Sequence, residues 1–349
     1  MRAPLPVIIQ TAYVGDCVLS LGLVRAAARA AERPVLVVTR PATAPLFEGD
    51  TAVEAVIPFD KRGRDAGPRG LLSTSRRLRA ALAGRAAIAL LAQGSVRSAL
   101  LARLAGIDAR VAFGDAPARL LATARAPRGP HRPDDELALL AAARLPCAPA
   151  PNDARFTPTP AEADRARCAL SSASPAPLVA LCPGSARATK APPLPLLGAL
   201  AYHLDRRGFA LVVCGGPGDR AAAGALRSHV RAPLLDTTGN SLRDAAAILA
   251  RCAAVVGGDS GLLHLAAAVG TPTVAIHGPT PSSPFSAGSI MVPGTRAAFA
   301  RAVPCAPCSP SGPDRCPRGH HDCMRLGMRD LDALMNTIVR AADTKVLHG

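Results

Sequence analysis

The sequence predicts an α/β protein made of two doubly wound halves, and three observations carry that prediction. Short apolar runs alternate with longer stretches of helical composition along most of the chain. Polar, glycine-bearing loops follow the apolar runs at 11–16, 183–190 and 258–261. At 349 residues the chain is long for one hydrophobic core and comfortable for two. Strands alternating with helices imply a parallel sheet covered on both faces.

The first half opens with a strand at Leu5 to Gln10, a loop from Thr11 to Asp16 and a helix from Val18 to Ala31. Strands follow at Val35 to Thr39, Val53 to Pro58 and Ala86 to Ala92. The last leads through Gln-Gly-Ser into a helix at Val96 to Ala105. A strand at Arg110 to Phe113 and a helix at Asp134 to Arg144 close this half. PCAPAPND at 146–153 reads as a linker. Thr159-Pro160-Ala161-Glu162 is a capping box with proline at the first helical position, opening a helix to about Ser171. The second half then runs from the strand at Leu178 through a helix near Leu194 to Arg207 and a strand at Ala210 to Cys214. A GGPGD turn, another helix, a strand at Leu234 to Asp236 and a helix from Leu242 come next. Ala253 to Val256 is a buried strand, Leu262 to Val269 a helix that Ser260 is suited to cap, and Thr273 to Ile276 a strand. The expected domains are 1–155, 156–328 with a Cys-rich loop at 305–323, and a terminal helix at 329–349, the two halves meeting across a cleft.

Hydrophobic residues at 49% and charged residues at 19% describe a folded chain. No run of 18 or more apolar residues occurs, so no transmembrane helix is expected. The opening stretch reads as a first strand and not a signal peptide, which places the protein in the cytoplasm. A net charge of +16 points to acidic partners. Nucleic acid is disfavoured, because aromatics make up 3% with no Trp and the arginines are scattered. Only Lys61, Lys190 and Lys345 are lysine among 41 basic residues, so each retained lysine stands out.

Three loops carry the chemistry. In GGDSGLLHLAAAVGTP, the first N–H groups of the helix at Gly261, Leu262 and Leu263 are donors for a phosphate. Glycines at 257, 258 and 261 let a ligand approach the backbone. His264 lies one helical turn beyond Ser260, so both can face that ligand. The same residues also suit a plain capped turn in which Asp259 bonds its own loop. PGSARATK offers Gly184, the hydroxyls of Ser185 and Thr189, and Lys190, read as an anion site or as a solvated surface charge. TAYVGD places Asp16 near a helix N-terminus, as a general base or as a cap.

In this order, TAYVGDCVLSLGLVRA, CPGSARATK, GDSGLLHLAAAVGTPTVAIHGPT and CAPCSPSGPDRCPRGHHDCM resemble the lipopolysaccharide heptosyltransferases of glycosyltransferase family 9, the heptosyltransferase II branch above all. The resemblance covers nearly the whole chain. It implies a GT-B fold of two Rossmann-like domains, the first for the acceptor and the second for an ADP-heptose donor. It implies an inverting transfer to the inner core of lipopolysaccharide, with Asp16 as the catalytic base and Lys190 as the lysine on the donor phosphate. Ser185, Thr189, Asp259, Ser260, Gly261, Leu262 and His264 would be the donor contacts. No cofactor is implied for catalysis, and the acceptor implies a peripheral place on an anionic membrane surface. After Lys190 the family commonly carries Arg-Trp-Pro, where this chain reads Ala191-Pro192-Pro193, so one basic and one aromatic contact are missing. The continuation PSSPFSAG after GPT at 278–280 is also looser than usual. Transfer from a different nucleotide sugar and non-catalytic nucleotide or lipid A binding are the competing readings.

Ten cysteines are present, and Cys305, Cys308, Cys316 and Cys323 form C-x2-C-x7-C-x6-C with His320 and His321 inside. Four thiolates can close a tetrahedral structural zinc site, while free thiols and a disulfide remain the other readings.

Overall fold

A computed structural model describes residues 3–128, 132–146, 154–281, 295–309 and 311–346. The chain divides into two units, Met1–Ala154 and Arg155–Gly349. In the first unit a six-stranded parallel sheet is built from β1 (Leu5–Gln10), β2 (Val35–Thr39), β3 (Val53–Pro58), β4 (Ala87–Leu91), β5 (Ala109–Phe113) and β6 (Ala124–Ala126). Its order is β3-β2-β1-β4-β5-β6. All six residues of β1 are buried, as a central strand covered on both faces requires. Leu5, Val7 and Ile9 pack with Leu78 of α2 (Pro68–Leu82) and Leu101 of α3 (Val96–Leu104). Helices α1 (Val14–Ala31) and α4 (Arg132–Ala142) also belong to this unit and pack on each other.

Three features of this unit differ from the sequence expectation. Helix α1 starts at Val14, one turn before the expected Val18, with Asp16 at its third position accepting the N–H of the N-cap residue Tyr13 at 3.2 Å. Helix α2 was not foreseen. Its buried stripe is thin (Leu71, Leu78 and Leu82 with two hydroxyl residues), and its exposed side mixes Arg69, Arg76 and Arg79 with Leu72, Ser73 and Ala80. Gly67, at φ 89°, turns the chain into Pro68 at the first helical position. Strand β6 is a three-residue edge of Ala-Arg-Ala, too short and too poor in branched side chains to show a strand pattern.

The second unit holds another six-stranded parallel sheet: β7 (Leu178–Cys182), β8 (Ala210–Val213), β9 (Leu235–Asp236), β10 (Ala254–Gly258), β11 (Thr273–His277) and β12 (Thr295–Ala300). Its order, β12-β11-β10-β7-β8-β9, repeats the topology of the first unit. The helices are α5 (Pro160–Ala169), α6 (Leu194–Arg206), α7 (Arg220–Leu226), α8 (Leu242–Arg251), α9 (Gly261–Ala268) and α10 (Met328–Val346). The capping box of α5 forms as its spacing predicts: Glu162 N–H reaches Thr159 Oγ1 at 3.3 Å, and Thr159 N–H reaches Glu162 Oε2 at 2.7 Å. Helix α10 presents Leu331, Leu334, Met335 and Ile338 to the core that contains Val179, Leu181 and Val256.

The proposed linker, from Cys147 onward, and the PSSPFSAG continuation after Pro281 lie outside the described residues. Among the described residues no helix is long and apolar enough to cross a membrane. Each sheet reverses its winding at one place, between β1 and β4 in the first unit and between β7 and β10 in the second. In open α/β sheets such a switch point, at the carboxyl ends of the strands, is where ligands bind. The loop carrying Asp16 follows β1. The loops carrying Lys190 and Asp259 follow β7 and β10.

Candidate active site

In the second unit the two switch-point loops meet side by side. Lys190 Nζ lies 2.8 Å from Asp259 Oδ2, and His264 Nε2 lies 3.6 Å from Asp259 Oδ1. Ser185 Oγ donates to the Asp259 carbonyl at 3.4 Å. Lys190, Asp259, Ser260 and His264 are all buried. Burial pushes the Asp259 carboxyl up, but the His264 imidazole and the Lys190 ammonium outweigh it and hold the group well below the usual carboxylate range. Asp259 is therefore ionised throughout the neutral range.

Ser260 is the N-cap residue of α9, as its position suggested, but its side chain makes no cap hydrogen bond. Its Oγ is enclosed and has no partner among the described residues. The first N–H groups of α9, at Gly261, Leu262 and Leu263, therefore lack the side-chain cap they would ordinarily receive. An uncapped helix N-terminus beside an ammonium is an electropositive seat for a phosphate.

Two residues here escaped the sequence reading. His277, at the end of β11, is buried, with Nδ1 3.4 Å from Thr280 Oγ1 and an enclosed Nε2 lacking a partner among the described residues. Burial pushes this imidazole below its ordinary value, more than nearby Asp259 raises it, so it is neutral at neutral pH. His321 reaches the Thr189 carbonyl, 2.8 Å from its Nε2. Nothing in local sequence signals either contact, since each depends on the packing of distant segments.

In the first unit Asp16 is buried in the first turn of α1. It accepts the N–H of the N-cap residue Tyr13, as the capping reading expected of a helix-end acceptor, while standing itself at the third helical position. In the same unit, Lys61 Nζ donates to Thr11 Oγ1 at 3.0 Å and to Gln93 Oε1 at 2.8 Å. Burial, followed by the charges of Arg62, Arg40 and Arg97, pushes the Lys61 amine down to about 8. Arg97 is fixed by the carbonyls of Lys61 (2.8 Å) and Asp65 (2.9 Å), with its guanidinium over the Phe59 ring. The result is a cluster of positive charge at the carboxyl edge of the sheet. Thr11 and Gln93 are also its bridge across the switch point, joined by a short hydrogen bond of their own.

The four clustered cysteines are free thiols, and each has its own surroundings. Cys305 Sγ is 3.8 Å from His320 Nε2, while the Cys308 thiol donates to the Cys305 carbonyl at 3.1 Å. Backbone N–H groups of the following turn, that of His321 foremost, hold the Cys316 thiol below its ordinary range, and the Gly319 N–H donates to the Cys316 carbonyl at 3.1 Å. Cys323 is buried beneath Gly278, where a Cβ would fall 3.2 Å from its sulfur. Among the described residues no three His, Cys, Asp or Glu side chains converge closely enough to hold a metal ion as they stand.

The model of glycosyltransferase family 9 (heptosyltransferase) matches residues 75–302. Lipooligosaccharide heptosyltransferase 2 of Haemophilus influenzae is 34% identical over 110 residues, covering 30% of this chain and 32% of that protein. Lipopolysaccharide heptosyltransferase 2 of Salmonella typhimurium is 35% identical over 117 residues, covering 32% of this chain and 34% of that protein. The matched stretch thus spans about a third of the length of these curated relatives. Among solved structures, a family 9 glycosyl transferase from Veillonella parvula superposes with a TM-score of 0.81 at 20% identity, covering 100% of this chain and 99% of that one. ADP-heptose lps heptosyltransferase II of E. coli superposes with a TM-score of 0.75 at 22% identity, covering 98% and 99%. The fold of this chain is that of these GT-B proteins.

The amine of Lys61 gives a direct check on the first unit. Below pH 8 it is mostly protonated and unreactive; above pH 8 it is mostly free base, about two pH units earlier than an ordinary lysine. Labelling with an amine-directed reagent, read by peptide mass spectrometry, should rise at Lys61 between pH 7 and 9. A labelling midpoint near pH 10 would show that the ammonium is not held among the arginines.

Proposed function

The chain belongs to glycosyltransferase family 9, and from that premise we propose that it transfers a heptose from ADP-heptose to the inner core of lipopolysaccharide with inversion at the anomeric carbon. The observation that carries this reading is the seat formed by Lys190, Asp259, His264 and the uncapped N-terminus of α9, placed at the switch point of the second sheet. A diphosphate needs an ammonium and oriented N–H donors; a sugar needs a carboxylate that stays ionised to accept from its hydroxyls. Both are present within one pair of loops.

In this mechanism the acceptor hydroxyl attacks the anomeric carbon as the bond from that carbon to the phosphate oxygen breaks. The proton passes to a carboxylate of Asp16, and the electron pair leaves with the nucleoside diphosphate. Lys190 and the N–H groups of Gly261, Leu262 and Leu263 neutralise the charge that grows on the leaving phosphate. Ser185 and Thr189 line the same loop, and Asp259 holds sugar hydroxyls. The cationic cluster at Lys61, Arg62 and Arg97 supports an acceptor bearing carboxylates or phosphates, and the net charge of +16 suits an acceptor presented on an anionic membrane surface. A panel of nucleotide sugars with truncated lipopolysaccharide acceptors tests the whole reading. Transfer only from another nucleotide sugar, or donor binding without any transfer, would replace it.

For the Cys-rich segment we propose a structural zinc ion held by Cys305, Cys308, Cys316 and Cys323. Support comes from their spacing and from the N–H groups directed at the Cys316 sulfur, which favour a thiolate. Binding would draw the four thiols off their present partners. Metal analysis of freshly purified, tag-free protein should return about one zinc per chain, and a metal-free, fully folded preparation would end the idea.

Asp16→Asn keeps the size of the side chain and an oxygen for the Tyr13 N–H. Transfer should fall by roughly 10²–10⁴-fold while ADP binding and the unfolding midpoint persist. Undiminished transfer would leave Asp16 as a helix-end acceptor only. Lys190→Ala should lower turnover by about 10²-fold even at saturating donor, since its contact tightens as the phosphate leaves. Lys190→Arg should recover only part, because the broad guanidinium needs more room than the enclosed ammonium. Near-normal turnover for Lys190→Ala would move the phosphate seat elsewhere.

A further inference from the structure

The Cys-rich segment has no part in the mechanism above, yet it touches the Lys190 loop in four places. His321 Nε2 lies 2.8 Å from the Thr189 carbonyl, and Thr189 Oγ1 donates to the Pro313 carbonyl. Arg187 forms an ion pair with Asp314. Gly312, at φ 76°, lies against the stem of Lys190, where an added Cβ would come within 2.7 Å of its Cδ. A second pair of contacts ties the same segment to the loop after β11: Cys308 N–H donates to the Pro279 carbonyl at 2.8 Å, and Gly278 has no room for a Cβ against Met324.

His321 is the member of this set with a backbone cost. It sits in the left-handed region at φ 54°, which a residue with a Cβ seldom adopts. The turn that puts it there is closed by the Gly319 N–H on the Cys316 carbonyl at 3.1 Å and by the Met324 N–H on the His321 carbonyl at 3.1 Å. The imidazole is thereby delivered to a carbonyl 132 residues away in sequence. A carbonyl only accepts, so Nε2 carries the proton and donates it.

We propose that His321 is a positioning residue for the donor: by holding the Thr189 carbonyl it fixes the peptide that carries Lys190, and so aims the ammonium at the leaving phosphate. This rests on the reading of Lys190 as the phosphate lysine. Displacing a charged group by about an ångström at a reacting centre is enough to cost up to 10²-fold in rate. His321 acts through Lys190 and touches no substrate.

The test is a double-mutant cycle. His321→Asn tolerates the left-handed backbone but is too short to reach Thr189. It should lower donor turnover about tenfold, mainly in kcat. In a Lys190→Ala background the same change should cost less than about twofold, because the group it aims is gone. His321→Gln places an N–H near the old Nε2 position and should return turnover to within about threefold of the parent. His321→Glu, of the same shape but without a proton to donate, should not. That pair keeps the test standing if the Asn variant fails to fold. Losses that multiply in the Lys190→Ala background, or a Gln variant no better than Glu, would overturn the proposal. ADP affinity measured by calorimetry on the same proteins repeats the cycle without the sugar. A parent that binds ADP but transfers no heptose would therefore count against the functional reading and leave the positioning result readable.

Discussion

The loops that carry Lys190 and Asp259 depend on a contact between backbones. Gly258, the last residue of β10, faces the Lys190 carbonyl so closely that a Cβ at this position would fall 2.0 Å from the oxygen. Gly257 is similarly pressed against the Cys182 carbonyl, at 2.7 Å. Only glycine permits two adjacent parallel strands to release their loops this near to each other. The separation sets everything downstream: with a side chain there, Lys190 Nζ could not stand 2.8 Å from Asp259 without the loops moving. The strand order β10 beside β7 brings the loops together, and the absence of two Cβ atoms lets them touch.

That closeness creates an electrostatic problem that the site resolves internally. A buried ammonium and a buried carboxylate each lose hydration, and a buried pair is weak evidence for stability. Asp259 gains back its loss through Lys190 on one oxygen and His264 on the other. On the proposed reading, a diphosphate competes with Asp259 for the same ammonium, and a sugar hydroxyl takes up the carboxylate so released. Ser260 belongs to the same logic. A serine at an N-cap ordinarily satisfies its helix, and here its hydroxyl and the first N–H groups are both left without each other. Enclosed polar groups without partners are rare and costly, and each calls for a structural or chemical reason.

How much of this was legible in the sequence follows from the range of the forces involved. Central strands were legible because burial on both faces gives unbroken apolar runs, as in β1 and β7. The polar loops were legible because glycine and hydroxyl residues follow those runs directly. Helix α2 was not, since its three buried leucines are spread over four turns among arginines. Edge strands β6 and β12 were not, because an edge can be made of residues with no strand signal when its neighbour supplies the register. At the site, Lys190, Asp259 and His264 stood out through local composition. Their distances to one another did not, and neither did Lys61 as the centre of a cationic cluster, because Thr11, Arg40, Gln93 and Arg97 come from parts of the chain distant in sequence.

The cysteine motif shows the same limit from the other side. Its spacing was the most conspicuous feature of the second half, and spacing speaks of thiols and metal. What the folded segment displays is a set of contacts made by its other residues: a glycine without a Cβ, a proline carbonyl, an aspartate and an imidazole, all spent on the Lys190 loop. The loop needs such support. Beyond Lys190 it has Ala191-Pro192-Pro193, with no cation or aromatic ring to anchor it, and Pro192 itself packs close to Gly258. A lysine is a flexible four-carbon stem, and its ammonium is only as well placed as the peptide that bears it. In this chain that peptide is gripped from β10 on one side and from the Cys-rich segment on the other. On the proposal above, the Cys-rich segment bears on the chemistry indirectly, by carrying His321 to the Thr189 carbonyl.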